Sequence, residues 1–270
     1  MAVSRFGTRL LTAAALAMLA VAGSPAAAQS TDDWRTRQAG EAFDDSAIEV
    51  LERHLEAIGG AEAVLAHEKV LRRGSFTGAP FQFKARLEMW QAAPDQQKLV
   101  INEPGGLTVT LGFDGTTAWQ DTTISDPVKL EGLAALAMNE DSIMHRPAKF
   151  RDLYARLTDQ GIVENESGDI RLHAIAATPV GSPRDRVMYF DPETGLLQQV
   201  RIGTVGPEGN VVQLDIFYED YKEFVGVKYA TKITQKYLGR DPHARYEYIS
   251  IVPDPSNWTD IVAPAELTGG

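Results

Sequence analysis

The strongest constraint in this chain is a change of hydrophobic period. In FQFKARLEMW, Phe81, Phe83, Ala85, Leu87 and Met89 fall on one side of an extended chain, and Gln82, Lys84, Arg86 and Glu88 on the other. LTVTLGF repeats the rule, with Leu107, Val109, Leu111 and Phe113 opposed to Thr108 and Thr110. VLRRGSFTG before these stretches and QKLVINE between them complete four strands. Gly78-Ala79-Pro80, Pro94-Asp95, Pro104-Gly105-Gly106 and Asp114-Gly115 punctuate the junctions. Such a pattern predicts an antiparallel meander with one apolar face. A sheet of this kind needs something to cover that face.

Two segments of helical period are available to do so. DDSAIEVLERHLEAIGG offers Ser46 as an N-cap and spaces Ile48, Leu51, Leu55 and Ile58 along one helical face, ending at Gly59-Gly60. A second short helix follows in AEAVLAHEKV. Residues 130–157, LEGLAALAMNEDSIMHRPAKFRDLYARL, read as two or three helices with a joint at Pro147. From Gly161 strands resume and continue to the end, giving roughly twelve in all. The order helix, strands, helices, strands predicts an α+β fold with one strongly curved sheet of about 11–12 strands and helices over one side.

The start of the chain reads as an export address. Residues 1–28 place Arg5 and Arg9 before an apolar run from Leu10 to Ala22 and a small-residue end at Ala26-Ala27-Ala28. This is the layout of a cleavable signal peptide, and its apolar run is too short to span a bilayer. Residues 29–45 are polar and aperiodic and are expected to form a flexible leader; 46–270 are expected to form a single domain. The mature chain is expected to be periplasmic, without a stable membrane anchor. The absence of cysteine excludes both disulfide staples and a lipidated N-terminus. Without the leader's two arginines, 24 basic residues face 37 acidic ones, a formal charge of −13. That charge disfavours nucleic acid and anionic lipid surfaces as partners.

Motifs for chemistry are scarce. The five histidines form no metal-ligand spacing, so no metal site is expected. No GxSxG occurs, and GLTVTLGFDG lacks the helix and lysine of a phosphate loop. A hydrolase acting on envelope lipids would have to use Ser142 with His145. Asp191 and Glu193 in YFDPETGLL occupy a proline- and glycine-bearing hairpin loop, and Asp191 is placed to bond its own turn backbone. No catalytic residue and no cofactor are expected.

What remains is a surplus of apolar residues. An ordinary filled core would absorb it, as in a non-catalytic envelope assembly protein, and so would a cavity for a hydrophobic guest. A sixteen-carbon acyl chain gains roughly 12 kcal/mol on burial, at about 0.8 kcal/mol per methylene, before the costs of binding.

Several stretches together resemble a known family. AIEVLERHLEAIGGAEAVLAHEKVLRRGSF, ARLEMWQAAPDQQKLVIN, GFDGTTAWQ, VMYFDPETGLLQQVRI and FYEDYKEFVGVKYATKI are similar to bacterial exported proteins with the fold of the outer-membrane lipoprotein carriers. The helix-Gly-Gly-helix entry, the FDGxxAW turn and the DxxTG hairpin carry the likeness, which runs from about Ser46 to Pro253. The resemblance implies an unclosed antiparallel half-barrel whose concave side is capped by helices around a hydrophobic cavity. It also implies an arginine on an early strand, for which Arg72, Arg73 and Arg86 are candidates. The expected partner is a lipid or an acylated protein, and an envelope membrane complex is a further candidate. From the sheet, Phe81, Phe83, Leu87, Met89, Leu99, Ile101, Val109, Leu111, Phe113 and Trp119 are the expected lining. From the helical lid, Leu136, Met138, Ile143, Met144 and Leu153 join them.

Overall fold

The computed structural model describes residues 33–164, 170–205, 211–237 and 242–268. The expected signal peptide, residues 1–28, lies outside them. Among the described residues no helix is long and apolar enough to cross a membrane. The first elements are β1 (Ala42–Phe43), α1 (Asp45–Ala57) and α2 (Gly60–Ala66). A meander of six strands follows: β2 (Lys69–Gly78), β3 (Ala85–Ala92), β4 (Gln96–Asn102), β5 (Thr108–Phe113), β6 (Ala118–Thr122) and β7 (Ser125–Lys129). The insertion holds α3 (Gly132–Ser142), a 3-10 turn (Arg146–Ala148) and α4 (Phe150–Leu153). The second run comprises β8 (Tyr154–Glu164), β9 (Arg171–Pro179), β10 (Arg186–Phe190), β11 (Leu197–Val205), β12 (Val211–Phe224), β13 (Val227–Tyr237) and β14 (Pro242–Pro253); α5 (Ala265–Thr268) ends the chain.

The described strands form one unclosed sheet of 14, in the order β1-β8-β9-β10-β11-β12-β13-β14-β2-β3-β4-β5-β6-β7. All neighbours pair antiparallel except β1 with β8. The sheet curves into a half-barrel, and α1, α2 and α3 lie over its concave face. Two strands exceed the sequence expectation. β7 carries no periodic apolar signal, and β1 falls in the segment read as a flexible leader. From Asp33 onward that leader belongs to the fold: Arg37 is buried, and its Nη1 donates to the Ser182 carbonyl at 2.9 Å and to Asp185 Oδ1 at 3.0 Å.

Three boundaries differ from the periodic reading. Residues 81–84 are not strand, because Glu103 Oε1 accepts the backbone N–H groups of Gln82 (2.7 Å) and Phe83 (2.9 Å) and turns the chain. Phe81 then points inward onto Phe76, while Phe83 faces solvent at 64% exposure. The helical insertion ends earlier than expected, since Tyr154 to Leu157 pair with Pro179 to Ala177 of β9. Helix α1 also begins two residues before a Ser46 cap would place it, with Asp44 as N-cap. Asp44 Oδ2 instead accepts the N–H of Asp159 on β8 at 2.9 Å.

The marks quoted for the family resemblance have physical causes. A Cβ on Gly59 would sit 2.1 Å from the carbonyl oxygen of Gly226, so the helix-Gly-Gly-helix joint needs glycine to abut the β12–β13 turn. Asp114 Oδ1 accepts the N–H groups of Thr116 and Thr117 within its turn, and its Oδ2 reaches the N–H of Ala263 in the C-terminal tail. Burial opposes ionisation of Asp114, yet these bonds hold its carboxyl below the usual range.

The DPETG hairpin, likewise, is a docking point. Asp191 Oδ1 accepts from the Glu193 and Thr194 N–H groups at 2.7 and 3.1 Å. Arg53 of α1 donates to the Glu193 carbonyl at 2.9 Å, and His54 Nδ1 lies 3.0 Å from the Gly195 carbonyl. A carbonyl only accepts, so Nδ1 carries the proton and the buried ring is neutral. Burial pushes His54 down to about 4, against the partial support of that bond.

A base whose folded pKa lies below its unfolded value binds fewer protons when folded, so stability rises with pH across that interval. The His54 contribution is therefore complete above pH 6.5 and is lost as pH falls toward 4, by an amount on the order of 3 kcal/mol. Urea unfolding between pH 7 and 4.5 is expected to show this loss, and His54→Gln is expected to flatten it.

Candidate functional site

Between the concave face and the helices lies a cavity of about 1500 Å³. Ligand pockets are ordinarily about 300–1,000 Å³, so this is roomy even for a large guest. Alternation builds its wall. Register sets Leu99 opposite Met89 and Leu111, and Ile101 opposite Val109, and all of these side chains face inward. The second run contributes by the same rule: Met188 of β10, Val200 and Ile202 of β11, and Leu214, Ile216 and Tyr218 of β12. From the lid, Leu133, Ala134, Ala137 and Asp141 of α3 lie on one helical face toward the cavity, followed by Ile143 and Met144.

The structure brings together Phe81, Met89, Leu99, Ile101, Val109, Leu111, Ile143 and Met144 around this space. Leu87, Phe113 and Met138 are buried in the core cluster behind the same wall. Leu136 is half-buried on α3, and Leu153 packs with the α1 cluster against β8–β11; neither borders the cavity.

Two expected lining residues lie away from it altogether. Phe83 is solvent-exposed for the reason given above. Trp119 stands opposite Gly112, one position out of step with Leu111, and therefore points to the convex side. There its ring covers Gly112, where a Cβ would meet it at 2.1 Å, and joins Leu71, Trp90, Ile261 and Ala263. The C-terminal tail thus buries a second, convex core that the one-sided pattern does not predict.

Among the early arginines, Arg72 faces the cavity, donating to Met89 Sδ at 3.2 Å and to Gln91 Oε1. Arg73 pairs with Glu88 at 3.0 Å on the other face, and Arg86 is exposed.

A polar cluster at one end joins lid to sheet. Glu140 Oε2 of α3 accepts from Arg184 Nη1 at 2.9 Å and from Arg186 Nη2 at 2.6 Å, all three residues being buried. Arg146 donates to the Glu140 carbonyl, closing the C-terminal end of the helix. Burial pushes the Glu140 carboxyl up, but Arg186 and Arg184 overcome it and hold the group below the ordinary carboxylate range.

Its neighbour Asp141 behaves oppositely. It is exposed where it borders the cavity, yet the surrounding protein desolvates it and raises its pKa despite Arg184 and Arg146. Tyr218 is pushed up to about 12, first by burial and then by Asp141, so its phenol keeps its proton. No local pattern marks this cluster in the sequence, because its members meet only when α3 folds over β10. The cavity-facing residues of β10–β12, by contrast, follow a period of two that is visible in RVMYF and VVQLDIFY.

The candidate nucleophile and its neighbouring histidine are engaged structurally. Ser142 Oγ donates to the Asn139 carbonyl at 2.6 Å, and His145 Nε2 donates to the His67 carbonyl at 2.8 Å. Among the described residues, no group of three His, Asp or Glu side chains is gathered closely enough to hold a metal ion.

The architecture has solved counterparts. A DUF1329 family protein from Desulfovibrio piger aligns with a TM-score of 0.53 at 12% identity, over 80% of this chain and 96% of that one. A domain described as outer membrane lipoprotein-sorting, from Vibrio parahaemolyticus, aligns at 0.51 and 8% identity, over 78% and 94%. No protein-family model matches the chain, and no curated protein matches it. At these identities the likeness concerns the fold: this chain has the curved, unclosed half-barrel with helices of the lipoprotein-sorting proteins.

Removing the charge of Glu140 would strand two buried guanidinium groups. Glu140→Gln is expected to cost about 3–5 kcal/mol, measured by chemical unfolding at pH 7.

Proposed function

We propose that this protein is a periplasmic carrier or chaperone for a lipid or an acylated protein, acting by binding rather than catalysis. The acyl group lies between the concave sheet and the helices. The observation that carries this reading is the apolar-walled cavity of about 1500 Å³, which a filled-core assembly module would not keep. Its wall along β4, β5 and β11 is largely of aliphatic side chains, with Met89, Met144 and Met188 beside them, which suits a flexible chain better than a rigid polar substrate. The engagement of Ser142 and His145 with separate main-chain carbonyls speaks against an envelope-lipid hydrolase built on that pair. The fold of the lipoprotein-sorting proteins supports the same reading, and the export signal read from residues 1–28 supports the compartment. An envelope membrane complex as donor or acceptor would account for loading and release.

Organic extraction of the protein purified from its native envelope, followed by mass spectrometry, is expected to release a lipid in stoichiometric amount. An empty protein that also fails to bind a fluorescent fatty acid would overturn the proposal. Leu111→Asp, which places a charge on the inner wall, is expected to abolish binding of that fatty acid, with a loss of at least about a hundredfold. Asp191→Asn, confined to the hairpin on the α1 side, is expected to leave binding unchanged.

A further inference from the structure

The cavity has a charged pole. Arg146, Arg184 and Arg186 border it at the lid–β10 junction, with Asp141 and Tyr218. Glu140 lies behind them, bonded to Arg184 and Arg186. The adjacent Arg37–Asp185 pair is balanced within itself, at 3.0 Å. Three guanidinium groups against two carboxylates leave an excess positive charge, even with both acids ionised. Such an excess is unfavourable in a largely apolar chamber.

One donor is also unmatched. Arg186 Nε is fully buried and has no hydrogen-bond partner among the described residues, and the same holds of the acceptor Glu140 Oε1 behind it. A staple between α3 and β10 would be complete with one arginine on Glu140, so it does not account for the second guanidinium or its idle N–H. Tyr218, kept protonated by its surroundings, adds a hydroxyl donor near Asp141, Arg146 and Arg186. Its position on β12, beside Met188 and Ile216 on the inner wall, sets that hydroxyl between the apolar surface and the arginines.

We propose that this pole is a headgroup site and that the guest is an anionic amphiphile. Its chain lies along the aliphatic wall, and its carboxylate or phosphate monoester faces Arg146, Arg184 and Arg186. The inference rests on the acyl-binding reading and adds the sign of the ligand's charge. Charge-assisted bonds from guanidinium groups to either oxyanion have suitable geometry, so the arginine pole favours an anion of either kind.

The test is a headgroup series at constant chain length. The purified protein is loaded with the neutral dye N-phenyl-1-naphthylamine, and displacement is titrated with dodecan-1-ol, dodecanoate, dodecyl phosphate and dodecyltrimethylammonium at pH 8. At least one of the two anions is expected to compete about tenfold more tightly than the alcohol, and the cation least well. Whichever anion is tighter identifies the source, carboxylate or phosphate. Arg184→Gln and Tyr218→Phe, checked for folding by circular dichroism, are expected to shrink the anion-to-alcohol ratio toward one. An alcohol within threefold of both anions in the unaltered protein would overturn the headgroup site while leaving acyl binding standing. Failure of every amphiphile to displace the dye would overturn acyl binding, and the headgroup site with it.

Discussion

The pairing of β2 with β14 is the contact on which the rest of the structure depends. It joins strands 166 to 183 residues apart in sequence, running from Val70 opposite Pro253 to Gly78 opposite Ala244. The two meanders would otherwise be separate sheets, each with an open edge facing the other. Gly74 permits the approach, since a Cβ there would lie 1.9 Å from the Glu247 carbonyl oxygen. Asp254, just beyond β14, accepts the N–H groups of Glu68 and Lys69, both at 3.0 Å, and pairs with His67 at 2.8 Å. One continuous concave wall results, and the cavity lies across the seam.

The roof of that cavity depends on how the helices are attached. Helix α1 does pack apolar residues against β8–β11, through Ala47 and Leu51. Helix α3 likewise buries Met138 in one cluster with Leu87 and Phe113, and polar bonds join the lid to the sheet as well: Glu140 to Arg184 and Arg186, Gln91 to the Asp141 carbonyl at 3.4 Å, and Met144 N–H to the Pro94 carbonyl at 3.2 Å. Directional bonds fix where the lid sits on the sheet beyond what apolar packing alone specifies. The same bonds concentrate charge at one end, so the device that places the lid also gives the chamber its polarity.

The first half of the site was legible because alternation in β4 and β5 assigns Leu99, Ile101, Val109 and Leu111 to one face without any tertiary knowledge. Phe83 and Trp119 show where that logic stops. Phe83 obeys the period, yet Glu103, a residue 20 positions away, captures its backbone and ends the strand before it. Trp119 lies in a strand too short to reveal its phase, and only pairing with Gly112 puts it on the convex side. The acids of YFDPETG read correctly as a turn, but the turn's use as an anchor for α1 through Arg53 and His54 depends on a contact 140 residues long in sequence.

By itself, then, the sequence determined the α+β class, the meanders and their turns, and the apolar face, because these follow from period, propensity and turn chemistry within a few residues. Tertiary structure alone decided that the one sheet is sewn together by β2 on β14, that the C-terminal tail buries Leu71, Trp90 and Trp119 on its back, and that an arginine pole backed by Glu140 borders the chamber. Those outcomes depend on pairings between distant segments, in which each partner's local pattern is compatible with several others and only the packed whole selects one.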